Sequence, residues 1–195
     1  KLTPVTNWRG YCSKYNYAVG TTDGGENAVT GYIFEKMNAS DKKDVNDRGN
    51  SKGLNTLLYD FKAYKANFIL GDYFVALGAG VTNAKPAMEG GIRTTIDQTA
   101  HIGAVTVIEK GKEKPLQEGR QSLITFEGQP VWVMQEGKFA YRVLPEFTRK
   151  AFVLTETCPT NWIKRNRGNA KKGDLPQTVD ILRLWVDHGQ APVND

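Results

Sequence analysis

The sequence has few of the features that anchor metal-bound or membrane-bound proteins. Two cysteines, Cys12 and Cys158, occur in 195 residues. Neither lies in a CxxC pair, which argues against a thiolate metal site and leaves one disulfide or two separate thiols open. No run approaches the roughly 20 apolar residues of a membrane helix, and no signal peptide is visible. The sequence therefore indicates a soluble globular chain without a membrane partner.

Motifs for several kinds of chemistry are also missing. The chain has no GxSxG nucleophile motif and no glycine-rich phosphate loop that opens a helix. No spacing marks the carboxylate pair that glycoside hydrolysis needs. Nothing resembles a zinc finger, a helix-turn-helix or an RNA-recognition strand pair. We therefore expect no metal, no cofactor and no nucleic-acid partner.

The charge is moderately basic, with 26 Lys and Arg against 21 Asp and Glu and a net charge of +5. One concentration of positive charge stands out in the segment 164–172. Basic surfaces attract nucleic acid, anionic surfaces or acidic polysaccharide. A solvated loop would carry the same charges, so the composition leaves both readings open.

The clearest structural pattern is a predicted hairpin over residues 56–81. Gly71-Asp72 separates two apolar runs, and a Gly-X pair suits a two-residue turn because glycine adopts positive φ without a clash. Side chains before the turn alternate with a period of two, as in a half-buried strand. The run after the turn is almost wholly apolar, which predicts a central strand or one buried on both faces.

Further alternating segments follow with glycine-centred turns between them, and no long segment shows the 3.6-residue apolar period of a helix. This spacing favours an antiparallel sandwich or barrel, hence an all-β fold. Trp132 and Trp185 lie within predicted strands and are expected in the core. The other predicted strands are 15–19, 28–37, 92–99, 104–109, 122–126, 131–134, 139–144, 150–155, 162–164 and 179–186.

Two groups of residues carry a family resemblance. Residues 61–68, 75–81 and 93–98 read FKAYKANF, VALGAGV and RTTIDQ, and residues 185–192 read WVDHGQAP. In order and spacing they resemble polysaccharide lyase family eight, which contains hyaluronate, chondroitin and xanthan lyases. Asn67 stands where the family usually has a small residue, and Arg93 where it usually has Glu.

The resemblance implies an architecture that periodicity alone does not give. Family members join an N-terminal α/α toroid to a large antiparallel super-sandwich of the galactose mutarotase-like type. Residues 1–195 would be one β-sandwich domain excised from such a lyase, with 1–25 as a linker leading into it. The implied partners are the toroid and an acidic polysaccharide, and the implied location is secreted or periplasmic.

The resemblance also implies a chemistry, the β-elimination of uronic-acid-containing chains. In the family the Asn, His, Tyr and Arg that perform it belong to the toroid, so this chain would not be catalytic alone. Glu26, in a glycine-flanked loop before a strand, lies where some chondroitin lyases place a supporting catalytic glutamate. A turn carboxylate in water is the plain alternative.

Other side chains suit contact with an acidic sugar, because aromatic faces stack on sugar rings and cations pair with uronate or sulfate. His101 and His188 are expected in structural roles, with the neighbouring Asp187 able to fix the tautomer of His188. The candidate substrate-binding residues are Trp8, Arg9, Trp162, Lys164, Arg165 and Arg167.

Two other functions remain open from the sequence. One is a non-catalytic carbohydrate-binding or surface interaction module, which an aromatic row on an exposed sheet face would favour. The other is a mutarotase-like epimerase, for which the required His/Glu pairing is not evident. Fold alone does not decide among these functions.

Overall fold

A computed structural model shows a chain of strands and turns, with no helix in the residues it describes. These residues are 18–35, 61–83, 91–146, 148, 150–160 and 177–195. The strands are β1 (Ala18–Thr22), β2 (Asn27–Glu35), β3 (Phe61–Leu70), β4 (Tyr73–Asn83), β5 (Ile92–Ala100), β6 (Val105–Glu109), β7 (Lys112–Pro115), β8 (Ser122–Ile124), β9 (Val131–Gln135), β10 (Ala140–Val143), β11 (Ala151–Thr160) and β12 (Gln177–Gly189).

The strands form three antiparallel sheets of four strands each. The first sheet has the order β1-β2-β3-β4, the second β10-β9-β6-β7 and the third β5-β12-β11-β8. The all-β prediction is confirmed. The chain divides into two compact units, one containing residues 93–187 and the other containing the strands up to Ile92 together with His188–Asp195.

The unit around residues 93–187 is a two-layer sandwich with one apolar core. Alternate residues of the second and third sheets meet between the layers, because successive side chains of a strand point to opposite faces. Burying each Val or Leu of this kind stabilises the fold by about 1.5–3 kcal/mol. The core residues are Val105, Val107, Ile124, Val131, Val133, Val143, Ala151, Val153, Leu182 and Leu184.

The two tryptophans predicted for the core lie outside that cluster. Trp132 alternates with Val131 and Val133 on β9, so it points away from the core and is 38% exposed. The prediction was wrong for Trp132, because its place in a strand did not say which face it occupies. Trp185 is 4% exposed, as expected, but Leu182 and Leu184 take the core side of β12. Its ring stacks on Phe152 at 5.5 Å between centroids.

The second unit is built on the first sheet, and its hairpin is the one the sequence predicts. Gly71 has φ of 58° in the turn that joins β3 to β4. Residues Leu70 and Tyr73 face each other across the turn. The register slips by one residue between Lys62 and Tyr64, where Gly80 adopts φ of 64°. This bulge in β4 is the kind of irregularity that glycine accommodates.

The environment of β4 differs from the prediction. β4 is an edge strand of the first sheet, and its residues 73–79 are exposed rather than buried on both faces. The prediction was wrong because an apolar run shows that a strand suits burial, whereas burial also needs a covering layer. The described residues supply such a layer only near the end of β4, where Val81 and Asn83 are buried.

The last residues of the chain pair with the outer edge of β4 at this end. Val81 and Asp195 exchange backbone hydrogen bonds of 2.9 and 3.0 Å, and the Asn83 amide donates to the Pro192 carbonyl at 2.9 Å. The Asn83 side chain also donates from Nδ2 to the Gln190 carbonyl at 3.1 Å. Residues 190–195 are therefore held against the outer edge of β4.

Candidate functional site at the β1–β2 loop

The loop between β1 and β2 is held by the side chain of Asp23. Its Oδ1 accepts hydrogen bonds from the backbone amides of Gly25 at 2.9 Å and Asn27 at 3.3 Å. Its Oδ2 accepts from Nδ2 of Asn27 at 2.6 Å. An aspartate that bonds the backbone two residues ahead forms a local turn of its own. The sequence DGGEN therefore folds into a defined loop.

Thr22 closes the base of the same loop. Its hydroxyl donates to the Asn27 carbonyl at 2.8 Å and accepts from the Gly24 amide at 3.2 Å. Gly24 has φ of 81°, a conformation that favours glycine. The backbone on both sides of Glu26 is thus fixed by hydrogen bonds within the loop.

The hydrogen bonds also set the ionisation of Asp23. The bond from the Asn27 side chain, followed by those from the Gly25 and Asn27 amides, lowers the pKa of Asp23 below 3.8. Hydrogen bonds to a carboxylate favour its charged form. Asp23 is therefore a permanent anion near neutral pH and serves as an internal brace.

Glu26 lies on this braced loop with its side chain exposed to solvent. It makes no hydrogen bond or ion pair with the residues that the structure describes. Both carboxylate oxygens therefore remain available to a donor from outside the unit. The loop thus presents one carboxylate on a fixed backbone.

The β3–β4 turn lies at the same end of the first sheet as Glu26, because Asn27 is the register partner of Leu70. This end carries the exposed residues Asp72, Tyr73 and Phe74, with Tyr73 74% exposed. Residues 18–35 and 66–83 contain no Lys or Arg. The sheet end is thus acidic and aromatic rather than basic.

The other predicted site residues lie outside the described part of the chain. Cys12 also lies outside the described part of the chain. Within β11, the Cys158 sulfur accepts a hydrogen bond from Nη2 of Arg183 at 3.4 Å. The predicted residues outside the described ranges are Trp8, Arg9, Trp162, Lys164, Arg165 and Arg167.

The two histidines occupy different positions. His188 Nδ1 lies 2.6 Å from Oδ2 of Asp195, and the two side chains are 10% and 17% exposed. The aspartate at that nitrogen is Asp195, seven residues ahead. The His101 amide donates to the Asp180 carbonyl at 2.9 Å. The His188 imidazole therefore contacts the last described residue, whereas His101 contributes a backbone hydrogen bond just after β5.

Sequence reasoning missed a row of stacked side chains across the third sheet. The Arg93 guanidinium lies 4.9 Å from the Trp185 ring, which stacks on Phe152. The Lys150 ammonium lies 5.2 Å from the ring of Phe152. Cations over aromatic faces are attracted by the ring quadrupole. The Arg93 guanidinium therefore packs favourably on the ring of Trp185.

Two kinds of site are not found among the residues that the structure describes. No group of three or more His, Cys, Asp or Glu side chains could hold a metal ion there. No helix in the same ranges is long and apolar enough to cross a membrane.

Comparison with known proteins places this arrangement in a family. Residues 3–195 match the model of polysaccharide lyase family 8, super-sandwich domain. The chain is 30% identical over 138 residues to chondroitinase-AC of Pedobacter heparinus, which covers 70% of this chain and 18% of that protein. The chain therefore spans about a fifth of this relative's length.

Solved structures show the same fold. A Paenibacillus xanthan lyase superposes with a TM-score of 0.63 at 22% identity, over 91% of this chain and 15% of that one. A chondroitinase AC lyase, solved with oligosaccharides, gives a TM-score of 0.63 at 23% identity, over 92% of this chain and 21% of that one. A Streptomyces coelicolor chondroitin AC lyase, in complex with chondroitin sulphate, gives a TM-score of 0.56 at 23% identity, over 91% of this chain and 18% of that one. The chain thus belongs to polysaccharide lyase family 8, as part of its super-sandwich domain.

Proposed function

We propose that this chain is the sandwich portion of a longer, secreted or periplasmic lyase that cleaves uronic-acid-containing polysaccharide by β-elimination. In that reaction a base removes the C5 proton, the neighbouring carboxylate is neutralised, and an acid protonates the departing glycosidic oxygen. Proton transfer and charge stabilisation are the two contributions that a protein must supply. These contributions would come from an α/α toroid elsewhere in the longer protein.

The role we propose for Glu26 is to orient a catalytic group of that toroid. The observation that carries this proposal is the Asp23-braced loop, which holds the Glu26 backbone while its carboxylate stays exposed. The neighbouring stretches of the sheet contain no cation. A carboxylate without a nearby cation repels a uronate, so it suits a protonated donor group better than the substrate itself. Glu26 would accept a hydrogen bond and fix that donor.

A direct test compares the isolated chain with the longer lyase that contains it. Both are incubated with chondroitin, hyaluronan and xanthan, and unsaturated uronate is followed by its ultraviolet absorbance. We expect product from the longer protein and none from the isolated chain. Elimination by the isolated chain would refute the proposal that the catalytic groups lie in another part of the protein. If the longer protein formed no product from any of the three polysaccharides, the proposed activity would be refuted.

One observation favours the second candidate, a carbohydrate-binding module. Tyr32 and Phe34 point to the same face of β2 and are each 37% exposed, and Lys65 is the register partner of Tyr32. Aromatic rings beside a cation suit an acidic sugar. Binding of the isolated chain to hyaluronan and to a neutral glucan, with Tyr32→Ala alongside, separates the two functions. Tight binding that Tyr32→Ala abolishes would favour the module.

A further inference from the structure

The outer face of the second sheet carries an open aromatic ring. Trp132, on β9, alternates with the core residues Val131 and Val133, so its indole points away from the core. The side chain is 38% exposed, whereas Trp185, the other tryptophan in the described ranges, is 4% exposed. A large flat ring that is open to solvent offers a surface on which another ring can stack.

A guanidinium lies beside this ring. Arg142, on β10, is the register partner of Trp132, and its Cζ lies 5.7 Å from the centre of the indole. A cation at this distance is attracted by the ring. Arg142 is exposed and forms no ion pair with the residues that the structure describes. Its N–H groups therefore remain available to a carboxylate, which a guanidinium binds through paired hydrogen bonds.

The other charged side chain that these four strands place on the outer face is Glu113. Ile108, on β6, is the register partner of Trp132, and Glu113, on β7, is the register partner of Ile108. Glu113 therefore stands two strands from Trp132, about 10 Å along the sheet, whereas Arg142 lies on the adjacent strand on the opposite side. An anionic group over Trp132 is thus attracted towards Arg142 and repelled from the Glu113 side.

The size of this face favours a saccharide over a protein. The four strands span about 14 Å, and the five residues of β9 span about 17 Å. A stable protein interface needs about 800 Å² from each partner, which is several times the area of this face. Met134 is the other large apolar side chain exposed there, and its register partners are the small residues Ala140 and Thr106. A single ring beside a single cation suits one acidic sugar residue.

We propose that Trp132 and Arg142 form a binding site for a uronic-acid residue of an acidic polysaccharide, with the sugar ring on the indole and the carboxylate on the guanidinium. The choice of ligand rests on the proposed function, because that lyase acts on uronic-acid-containing chains. The site lies on a different sheet from Glu26 and from Tyr32. It gives the polymer an attachment point in addition to the catalytic groups.

Calorimetric titration of the isolated chain with a hyaluronan oligosaccharide tests the site. We expect saturable binding, and Trp132→Ala should weaken it at least about tenfold. Arg142→Gln should weaken it about five- to tenfold, because it removes a charge-assisted hydrogen bond. Trp132→Phe keeps a ring and should retain most of the affinity. Affinity that is unchanged in both Trp132→Ala and Arg142→Gln, or no binding by the wild-type chain, would overturn the inference.

Two controls separate the site from general attraction between opposite charges. Arg120→Gln removes the same charge from an exposed arginine between β7 and β8, and it should leave the affinity unchanged. A carboxyl-reduced form of the oligosaccharide should bind the wild-type chain more weakly and should no longer distinguish it from Arg142→Gln. Equal losses in Arg120→Gln and Arg142→Gln would overturn the inference. If Trp132→Ala does not fold in thermal unfolding, the contrast between these two arginine variants decides.

Two other occupants of the exposed aromatic surfaces give different results. Binding that Tyr32→Ala abolishes and Trp132→Ala leaves intact would place the sugar on the first sheet and overturn the inference. Dimers of the isolated chain in light scattering that Trp132→Ala dissociates would also overturn it, with a second copy as the occupant.

The elimination assay separates this inference from the function on which it rests. If the longer lyase forms product while the Trp132→Ala chain binds the oligosaccharide as tightly as the wild type, the site is wrong and the proposed function stands. If Trp132→Ala abolishes binding and the longer lyase forms no product, the proposed activity is wrong and the site stands.

Discussion

His188 and Asp195 join the end of β12 to the segment that borders β4. Nδ1 of His188 lies 2.6 Å from Oδ2 of Asp195, and the Asp195 backbone pairs with Val81. The two residues are seven positions apart, so the contact closes a short loop around Gly189, which has φ of 76°. The interaction therefore helps to hold residues 190–195 against the outer edge of β4.

This contact predicts coupling between the two side chains. His188→Ala and Asp195→Ala should each destabilise the chain, and the double variant should cost less than the sum of the two by roughly 1 kcal/mol, since residues in contact are not additive. Urea denaturation of the four proteins measures the coupling. A control cycle pairs His188→Ala with Leu123→Ala, and it should show additive effects. Additivity in the His188–Asp195 cycle would contradict the contact.

The hydrogen bonds to Asp23 predict that the β1–β2 loop keeps its structure to a lower pH than an aspartate of ordinary pKa would allow. Because hydrogen bonds from Asn27 and Gly25 lower the pKa of Asp23, its folded pKa lies below its unfolded one. The stabilising effect is then present above the unfolded pKa and is lost as the pH falls through the folded pKa. Titration of the Asp23 carboxyl carbon by NMR should give a midpoint below 3.8, and Asn27→Ala should raise it. A midpoint at or above 3.8 would contradict the brace.

Tyr141 links the two layers of the sandwich. Its hydroxyl, on β10, donates to Oδ2 of Asp97 on β5 at 2.6 Å, and burial followed by this bond raises the pKa of Tyr141. The pKa of Tyr141 is thus higher in the folded protein than in the unfolded protein, where it lies near 10. The stabilisation is therefore fully present below pH 10 and is lost as the pH rises towards the folded pKa. Tyr141→Phe should lower the free energy of unfolding by about 1 kcal/mol.

Denaturation at pH 8 and at higher pH checks this prediction for Tyr141. The difference between wild type and Tyr141→Phe should shrink as the pH rises above 10. Asp97→Asn should weaken the link while leaving a hydrogen-bond acceptor in place. A difference that is the same at every pH would contradict the role given to the hydroxyl.

Gly80 and Gly78 form a matched pair on β4. A Cβ at Gly80 would lie 2.8 Å from Cδ2 of Tyr64, and its φ of +64° is strained for other residues, whereas a Cβ at Gly78 meets nothing nearer than 3.9 Å. Gly80→Ala should therefore destabilise the chain by about 1–2 kcal/mol. Gly78→Ala should be close to neutral. Thermal unfolding compares them, and equal effects would contradict the bulge.

The sequence predicted the local features of this fold better than its layers. The Gly71-Asp72 turn carries its own signal, because glycine permits the positive φ that the hairpin requires. β7, with the polar sequence Lys-Glu-Lys-Pro, has no apolar alternation and was missed. The exposure of Trp132 and of β4 depends on what lies against each face, which one strand's sequence does not contain.

In the candidate site, too, the sequence predicted some features and not others. The position of Glu26 before β2 was apparent from the glycine-flanked loop and from the family resemblance. The brace by Asp23 follows from the DGGEN sequence, although its hydrogen bonds become evident only in three dimensions. The contact of His188 with Asp195 was not predictable, because the intervening turn decides which carboxylate reaches the imidazole.

The measurement that tests the account most directly is the elimination kinetics of the longer lyase with Glu26→Gln. If Glu26 orients a catalytic donor, kcat should fall roughly 10- to 100-fold with little change in KM or in the thermal midpoint. Glu113→Gln, at an exposed glutamate of β7, should leave all three unchanged. An unchanged kcat in Glu26→Gln, or a loss that matches a fall in the thermal midpoint, would contradict the role proposed for Glu26.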